Sequence, residues 1–391
     1  MRAAIVGGSL GGLTAALLLR DLGVEVDVYE RSPAELVQRG AGIVFLPDAR
    51  RYLVERAGVD LDRISVSSAH IRYRDRRGEV LYDGEHHYRF SSWYTVYRQL
   101  LARFDRSRYH LGHEMTDWVE RSDGVEVRFA KHERQRADLL VCADGVNSTA
   151  RARLLPQVQP AYAGYVAWRG MVPEASLDAE TREVCGDAIT YYVYANSQFL
   201  VYPIPGQDDS VALGERLINW VWYRNYLAGS DLDDLLTDRS GQRRDTSLPP
   251  GAVSAHHIAE LHAVASARLP ETLARVVHST AQPFLQVIYD LDIPGMAFGR
   301  VCLIGDAAFV ARPHAGAGTA KAAADAWALA DAVVRHDDDV VSALAAWEPG
   351  QLALGRQLLE RTRRNGRRSQ FDGTWVPGDP ELLLGLRGPG L

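Results

Sequence analysis

The residues with the clearest potential for chemistry are a glycine run and an acid near the start of the chain. The run from Gly7 to Gly12 reads GGSLGG and follows the apolar segment 3–6, and Glu30 comes eighteen residues after Gly12. A glycine turn that opens a helix offers backbone N–H groups to a pyrophosphate, and the acid can accept hydrogen bonds from a ribose. The pattern predicts a dinucleotide site, and its carboxylate disfavours NADP because it would repel a 2′-phosphate. The alternative is a glycine-rich turn in an ordinary βαβ unit.

Two further acids follow apolar runs later in the chain. Asp144 comes directly after the segment 139–143, and Asp306 follows the segment 301–305. Acids at the carboxyl ends of strands face the crevice in which α/β proteins bind ligands. A small-residue turn and a long helical pattern follow Asp306, so this region repeats the arrangement at the start of the chain. For Asp144 the alternatives are a common Asp-Gly turn, or a structural brace for Arg98 or Arg151.

The elements that must position these acids form an α/β pattern with a β-rich insertion. Strands are predicted at 3–6, 24–30, 137–143 and 299–304, a hairpin at 115–129, and helices at 13–23, 48–57, 94–101, 255–278 and 320–334. Short segments rich in β-formers lie at 162–172, 190–194, 199–203 and 211–213. We therefore predict a Rossmann-type nucleotide-binding domain with an inserted, mostly antiparallel β-sheet substrate domain and a C-terminal helical segment. The predicted boundaries are 1–70, 96–158 and 291–370 for the nucleotide domain, 71–95 and 159–290 for the substrate side, and 371–391 for an irregular tail.

Composition excludes several classes of function. Hydrophobic residues make up 47% of the 391 residues and charged residues 24%, values that are typical of a soluble globular protein. The net charge of −6 argues against a nucleic-acid or anionic-membrane partner. The three cysteines cannot all pair, and Cys142 and Cys302 lie in apolar runs, which favours a reducing cytoplasm. We find no metal-ligand spacing, no basic leader and no long apolar segment.

Three motifs in this order carry a resemblance to a known family. They are GGSLGG at 7–12 with Glu30, ADG at 143–145 with Ser148 and Arg151, and GDAA at 305–308 with Pro313 and Gly316-x-Gly318. Together they resemble the single-component FAD-dependent aromatic-ring hydroxylases of the para-hydroxybenzoate hydroxylase type, over about residues 1–370. Further segments, at 162–170, 202–206 and 312–322, resemble the branch of this family that hydroxylates hydroxypyridines. The chain departs from the family pattern at Ser9 (usually glycine), Phe309 (often histidine) and Ala317 (commonly polar).

The resemblance implies FAD contacts along the whole chain. We find no histidine or cysteine at a clear flavin-attachment position in the N-terminal loops, so we expect FAD to be non-covalent. The residues that would hold it are Gly7, Ser9, Leu10, Gly11 and Gly12 at the pyrophosphate, Glu30 at the ribose, Arg31 at the adenine, Gly42, Ile43 and Val44 at the ribityl chain and ring, Arg98, Asp144 and Asp306, and Gly316, Ala317, Gly318 and Thr319 at the flavin edge.

The resemblance also implies a reaction. NAD(P)H would reduce the FAD, O₂ would add to give a C4a-hydroperoxide, and a hydroxyl group would pass to a small, electron-rich aromatic or heteroaromatic ring. We predict that His314, beside Pro313 in the flavin-side turn, accepts the proton of the ring hydroxyl. The alternative is a structural turn histidine. The predicted walls of the substrate cavity, for which ordinary sheet packing is the alternative, are Tyr191, Tyr202, Trp222 and Tyr223.

Other readings of the chain stay open at this point. An FAD oxidoreductase without oxygen insertion and a non-catalytic flavin-binding protein both fit the cofactor motifs. The ring could be a free hydroxypyridine or part of a natural product with a longer tail. We expect no nucleic-acid or membrane partner and a homo-oligomer, a dimer in preference.

Overall fold

The computed structural model describes residues 1–37, 40–337 and 339–391. Its strands and helices follow the predicted α/β pattern with a large inserted sheet. The strands are β1 (Arg2–Val6), β2 (Glu25–Glu30), β3 (Gly42–Val44), β4 (Val66–Arg74), β5 (Val80–Ser92), β6 (Tyr109–Leu111), β7 (Met115–Arg121), β8 (Gly124–Phe129), β9 (Gln135–Ala137), β10 (Leu139–Cys142), β11 (Ala161–Pro173), β12 (Ala188–Tyr194), β13 (Ser197–Ile204), β14 (Leu217–Asn225), β15 (Ser247–Leu248), β16 (Phe284–Asp290), β17 (Ala297–Phe298) and β18 (Val301–Leu303). The helices are α1 (Leu10–Asp21), α2 (Pro47–Glu55), α3 (Trp93–Leu101), α4 (Thr149–Leu154), α5 (Ala179–Cys185), α6 (Ser230–Leu235), α7 (Ala255–Arg268), α8 (Glu271–His278), α9 (Gly318–Arg335) and α10 (Val340–Arg367).

The first sheet carries the predicted nucleotide-binding elements. Its strand order is β17-β18-β10-β1-β2-β6, and every pair except β17–β18 is parallel. The strands at its centre are continuous apolar runs because both faces of the sheet are covered. Helix α1 packs on β1 and β2, and a third, three-stranded antiparallel sheet of β7, β8 and β9 packs on β1 and β10. The carboxyl ends of β1, β2, β10 and β18 therefore meet at one edge. This is the edge at which Gly7, Asp144 and Asp306 follow their strands.

The second sheet has nine strands in the order β15-β16-β11-β14-β13-β12-β4-β5-β3, and it is antiparallel apart from the β12–β4 pair. Because side chains alternate across a strand, the sheet has two different faces. One face, called here the tryptophan face, buries its side chains against α7 and α8, and it carries Trp168, Trp220 and Trp222. The other, called here the tyrosine face, points towards the turn before α9, α10 and the C-terminal tail, and it carries Tyr165, Tyr191, Tyr202 and Tyr223.

The predicted fold class is confirmed, and three details differ. Segment 211–213 is not a strand: Leu213 is 81% exposed, so no packing partner holds it extended. The helical stretch at 255–278 is two helices, because Pro270 stands between them. The tail is irregular apart from single turns, but it is packed, since Leu382, Leu384 and Leu386 are buried against the tyrosine face.

The two sheets do not divide the chain at the predicted domain boundaries. β3 pairs with β5 and therefore belongs to the second sheet, although it lies in the range 1–70. β4 also begins inside that range, at Val66. The boundaries of the domains stay a prediction.

Two further observations concern the described helices and the cysteines. Among the described helices none combines the length and apolar character needed to cross a membrane. Cys142, Cys185 and Cys302 are free thiols, and all three are buried.

Candidate functional site

A cavity of about 510 Å³ lies at the edge of the first sheet where its parallel strands end. Such a crevice is the usual ligand site of an α/β sheet. Twelve of the residues predicted to bind FAD line it: Gly7, Ser9, Leu10, Gly11, Glu30, Arg31, Gly42, Ile43, Asp144, Asp306, Gly318 and Thr319. The structure thus brings together residues that are spread over more than three hundred positions of sequence.

The glycine run forms the tight turn that the sequence predicts. Gly7 has φ +104°, and a Cβ atom there would lie 2.2 Å from the Ala143 carbonyl oxygen. Gly12 allows α1 to approach the strand, because a Cβ would lie 1.9 Å from the Gly7 oxygen. Within the described part of the chain, the Ser9 side chain caps no N–H of α1. The first-turn N–H groups therefore stay available to an anion.

Glu30 is fixed by two backbone groups at the end of β2. Its Oε2 accepts a hydrogen bond from the Gly8 N–H at 2.9 Å, and its Oε1 accepts one from the Ser32 N–H at 2.8 Å. A carboxylate oxygen can accept more than one hydrogen bond, so these contacts orient the Glu30 carboxylate and leave it able to accept further hydrogen bonds. Glu30 can hence accept from a ribose in the cavity.

Burial acts on both of the other acids at this edge. Asp306 is exposed to the cavity but surrounded by protein, and this burial raises its pKa to about 6 although Lys321 opposes the shift. Burial also raises the pKa of Asp144. Its Oδ2 accepts from the Ala150 N–H at 3.2 Å, whereas its buried Oδ1 has no hydrogen-bond partner among the described residues. A cavity-lining carboxylate with a spare acceptor atom can bind a ligand hydroxyl or N–H.

A buried ion pair supports the turn that carries Asp306. Lys321 Nζ lies 2.7 Å from Asp325 Oδ2, and the same oxygen accepts from the Gly305 N–H at 2.9 Å. Both side chains are almost fully buried. The spacing of four residues on one helix was visible in the sequence. Only the fold shows that the pair holds the Gly305 turn against α9.

The loop at Gly42 is held by residues that the sequence analysis missed. The Gly42 N–H donates to Asn219 Oδ1 at 2.9 Å, and its carbonyl accepts from Arg169 Nη2 at 3.2 Å. Arg169 Nη1 donates to Gln286 Oε1 at 2.7 Å. The alternation of the strands could have identified them, because Arg169 shares its face with Tyr165 and Asn219 shares its face with Tyr223.

His314 lies in a buried aromatic setting next to the tyrosine face. Its Nε2 is 2.8 Å from the Tyr165 hydroxyl, and its ring centroid is 4.8 Å from that of Tyr223 and 6.1 Å from that of Trp375. Burial and the nearby Arg312 guanidinium lower the pKa of His314 to about 3, so the ring is neutral near pH 7. Its Nδ1 is buried and has no partner in the described structure.

The turn around His314 is built as predicted. Pro313 begins a single 3-10 turn that ends at Ala315, and Gly316 follows with φ +62°. Arg312 anchors it, since its Nε and Nη2 donate to the Asp290 carboxylate at 2.9 Å and 2.8 Å. The turn leads directly into α9, whose first residues line the cavity.

Several predicted residues do not line the cavity. Gly12, Val44, Gly316 and Ala317 stand behind its wall, where the Val44 side chain packs on Gly316. Arg98 forms an ion pair with Asp209 and is 41% exposed, so its FAD contact stays a prediction.

The four predicted substrate residues divide between the two faces of the second sheet. The prediction for Trp222 is wrong: it lies on the tryptophan face, where its indole N–H donates to Ser197 Oγ at 2.8 Å. Tyr191, Tyr202 and Tyr223 lie on the tyrosine face. Of these, Tyr223 contacts His314, and Tyr191 packs on Tyr73 with ring centroids 5.0 Å apart.

Comparison with known proteins gives consistent findings. A family model described as FAD binding domain-like matches residues 162–290. The chain is 39% identical over 386 residues to 2,6-dihydroxypyridine 3-monooxygenase of Paenarthrobacter nicotinovorans, covering 98% of this chain and 96% of that protein. It is 29% identical over 388 residues to 3-amino-4-hydroxybenzoate 2-monooxygenase of Streptomyces cremeus, covering 93% of this chain and 86% of that protein.

The fold is also similar to a solved structure. That structure is 2,6-dihydroxypyridine-3-hydroxylase from Arthrobacter nicotinovorans, with a TM-score of 0.94 and 38% sequence identity. The match covers 99% of this chain and 97% of that chain. The similarity therefore includes both sheets, the helices and the packed tail.

Proposed function

The chain belongs to the FAD-dependent aromatic-ring monooxygenases, and from this premise we propose that it hydroxylates a hydroxylated pyridine or a related heteroaromatic ring with NAD(P)H and O₂. The observation that carries the ring class is the 39% identity, over nearly the full length of both chains, to a relative that acts on 2,6-dihydroxypyridine. The predicted family, the enzyme class and the FAD cofactor are confirmed. The reductant and the ring belong to the proposal.

The residues of the cavity fit FAD. The uncapped N-terminus of α1 suits the pyrophosphate, Glu30 suits the ribose, and the spare Asp144 Oδ1 suits a polar group of the cofactor. When bound, FAD supplies the redox chemistry, since it takes a hydride from the nicotinamide and activates O₂ for transfer to the ring. The protein supplies binding, orientation and a dry chamber.

We place the ring between the His314 turn and the tyrosine face. Arg169 Nε and Asn219 Nδ2 are buried donors without partners among the described residues, and both lie on that face. Burying such donors without acceptors is unfavourable, so a ring hydroxyl or carbonyl oxygen would satisfy them. These two residues orient the ring in the proposal, and Tyr223 forms one wall.

His314 has a defined task in this proposal. A hydroxylated ring becomes more electron-rich when its hydroxyl loses a proton, and His314 Nδ1 is the free atom that can receive it. Burial holds the pKa of His314 at about 3. An anionic ring oxygen beside Nδ1 would favour the charged imidazole, because an opposite charge within a few ångströms offsets the cost of burial. Tyr165 holds the imidazole through Nε2, and the proposed step uses the tautomer in which Nε2–H donates to the Tyr165 oxygen and Nδ1 carries no proton.

The assembly and location of the protein are further parts of the proposal. We propose a homo-oligomer, a dimer in preference, in the cytoplasm. The three buried free thiols support a reducing compartment. The division into a nucleotide domain, an inserted substrate domain and a C-terminal segment also remains our proposal.

Turnover with a panel of rings tests the function. The purified holoenzyme is assayed for NADH and NADPH oxidation with and without hydroxypyridines, aminohydroxybenzoates and plain phenols, while hydrogen peroxide and hydroxylated product are measured together. We expect a hydroxypyridine to stimulate oxidation most, with more product than peroxide. If only a benzoate stimulated oxidation, the proposed substrate would be a benzoate and not a pyridine. Stimulation by no ring would favour an FAD oxidoreductase without oxygen insertion or a non-catalytic flavoprotein.

A further inference from the structure

Three potential metal ligands meet in the helical layer that packs on the tryptophan face of the second sheet, outside the FAD cavity. Asp234 lies in the last turn of α6, and His256 and His257 lie in the first turn of α7. Their ligand atoms all lie within 4.8 Å of one another. None of the three lines the FAD cavity. The sequence showed no ligand spacing here, because more than twenty residues separate Asp234 from the histidines.

The distances suit a small tetrahedral ion. Asp234 Oδ2 lies 3.3 Å from His257 Nε2 and 3.7 Å from His256 Nε2. Ligands bonded to Zn²⁺ at about 2.0–2.1 Å in a tetrahedron are about 3.3 Å apart. The Asp234–His257 distance matches this spacing, and the Asp234–His256 distance exceeds it by about 0.4 Å.

The burial of His257 is an independent observation that points to a ligand at this site. It is only 6% exposed, and neither ring nitrogen has a hydrogen-bond partner among the described residues. Buried polar groups without partners are rare because each costs free energy. Its Nε2 lies 3.3 Å from Asp234 Oδ2 without a hydrogen bond between them, and its Nδ1 lies 3.9 Å from Glu260 Oε2. A carboxylate behind a ligating histidine is the usual outer partner in metal sites.

Side-chain exposure shows how an ion could reach the site, and the ligand types indicate which metals it would bind. The side chains of Asp234 and His256 are 66% and 65% exposed, so an ion can reach the site from solvent. Two imidazoles and one carboxylate select Zn²⁺ and similar transition metals over Ca²⁺ and Mg²⁺, which prefer all-oxygen ligands. Arg224 holds Glu260 at 3.0 Å and keeps that carboxylate in the outer position.

We propose that Asp234, His256 and His257 form a binding site for a Zn²⁺-class divalent ion, with water as the fourth ligand. The ion joins α6 to α7 and so stabilises the helical layer that covers the tryptophan face. It takes no part in ring hydroxylation, since the site is separate from the FAD cavity.

Calorimetric titration of the holoenzyme tests the site. Chelator-treated, dialysed protein is titrated with ZnCl₂, and we expect saturable binding of one equivalent. Asp234→Asn and His256→Ala replace exposed side chains and should leave the fold intact, yet each should weaken binding at least about tenfold through loss of a ligand. His257→Gln should do the same. His262→Ala is the matched control, because His262 pairs with His278 on the same helical layer without a carboxylate.

A thermal measurement gives the second readout. Zn²⁺ at about 100 times its dissociation constant should raise the melting midpoint of the wild type by about 2 °C or more, and equal MgCl₂ should not. In Asp234→Asn the rise should be lost, while coupled hydroxylation stays at the wild-type rate. Absence of saturable binding, or equal weakening in Asp234→Asn and His262→Ala, would overturn the proposal.

Discussion

The two faces of the second sheet come from the same strands but have different chemistry. On the tryptophan face, the indole N–H of Trp220 donates to Thr280 Oγ1 and that of Trp222 donates to Ser197 Oγ, both at 2.8 Å. On the tyrosine face, Arg169 Nε and Asn219 Nδ2 stay unpaired among the described residues. Within the sheet itself, the indoles of the covered face find partners in the core, whereas the other face keeps donors that a ligand could satisfy. The unpartnered nitrogens of His257 lie on α7, outside the sheet. The difference supports the proposal that one face serves packing and the other contacts the ring.

Residues that are adjacent on one strand can therefore have different roles. Asn219 and Trp220 follow each other on β14, as do Trp222 and Tyr223, and each pair divides between the faces. Both faces of the sheet carry several aromatic residues, so aromatic content alone does not show which face packs in the core. The comparison predicts that neighbouring substitutions will affect different properties, and the experiments that follow run from the largest effect to the smallest.

Trp220→Ala should cause the largest change. It removes a fully buried indole from the tryptophan face and leaves Thr280 without its donor. We expect a loss of about 3–5 kcal/mol in the free energy of unfolding, the range for large-to-small changes in a core. The urea midpoint measures this loss. FAD content and coupled turnover per folded molecule should stay close to those of the wild type.

Trp375→Ala is the matched variant for the other face. Trp375 comes from the tail and packs near His314 and Tyr191, with ring centroids 6.1 Å and 6.4 Å away. We expect a smaller loss of stability but more peroxide per NAD(P)H, because the chamber would admit water. If Trp220→Ala and Trp375→Ala both lowered stability and neither raised peroxide release, the proposed difference between the two faces would be wrong.

His314→Gln should give the next largest effect. The change keeps size and polarity but removes the base, so hydroxylation should fall roughly 10²-fold, which is the low end for lost proton transfer. FAD content should not change, and peroxide should rise as the ring is poorly activated. Rapid kinetics of product and peroxide measure both. Normal coupling in this variant would make His314 a structural residue.

The same histidine should make stability depend on pH. Burial lowers the folded-state pKa of His314 from 6.5 to about 3, so below 6.5 the unfolded chain binds the proton more readily. The stability from the neutral ring is present above pH 6.5 and is lost as the pH falls towards 3. At pH 5 we expect the loss to be about 2 kcal/mol, at 1.36 kcal/mol per pH unit.

Urea midpoints at pH 7.5 and pH 5 for the wild type and His314→Gln isolate this contribution. Other acids titrate in both proteins and cancel in the difference. The groups facing the imidazole are Arg312, Tyr165, Tyr223 and Trp375, and none of them titrates in this window. Equal pH dependence in the two proteins would mean that the imidazole is not buried in the neutral form.

Asn219→Ala should have the smallest effect of the four. It leaves the Gly42 N–H without its acceptor, at a cost on the order of 1–3 kcal/mol if the group stays dry. We expect the FAD dissociation constant to rise about tenfold, as measured by fluorescence titration. Asn225→Ala is the control on the same strand, because its side chain donates to the Gln370 carbonyl, away from the Gly42 loop. An effect of equal size there would point to general loosening of β14.

Much of the nucleotide site could be predicted from the sequence. The glycine turn, Glu30 and Asp306 follow apolar strands directly, and parallel strands must bring their ends to one edge. Local rules were sufficient there, because each residue is placed by its own strand or turn. The partner of Arg98 could not be predicted in this way, because Asp209 lies 111 positions away in the sequence.

The ring end of the site depended on long-range contacts. Gly42 meets Asn219 across 177 positions, and Tyr165 meets His314 across 149. Trp222 was predicted as a cavity wall because composition does not reveal which face of a strand will be covered. The sequence does not connect Asp234 with His256 and His257, because more than twenty residues separate them and only the fold brings α6 against α7.

The sequence by itself determined the turns, the strand ends and the cofactor class, because these depend on backbone conformation and on neighbours along the chain. The tertiary structure alone decided which segments cover each face of the second sheet, which donors remain without partners among the described residues, and that His257 and His314 are buried. Those properties arise when distant segments pack on the two sides of a sheet and cover different side chains. No local pattern specifies that choice, since alternation gives both faces equal access until packing covers one of them.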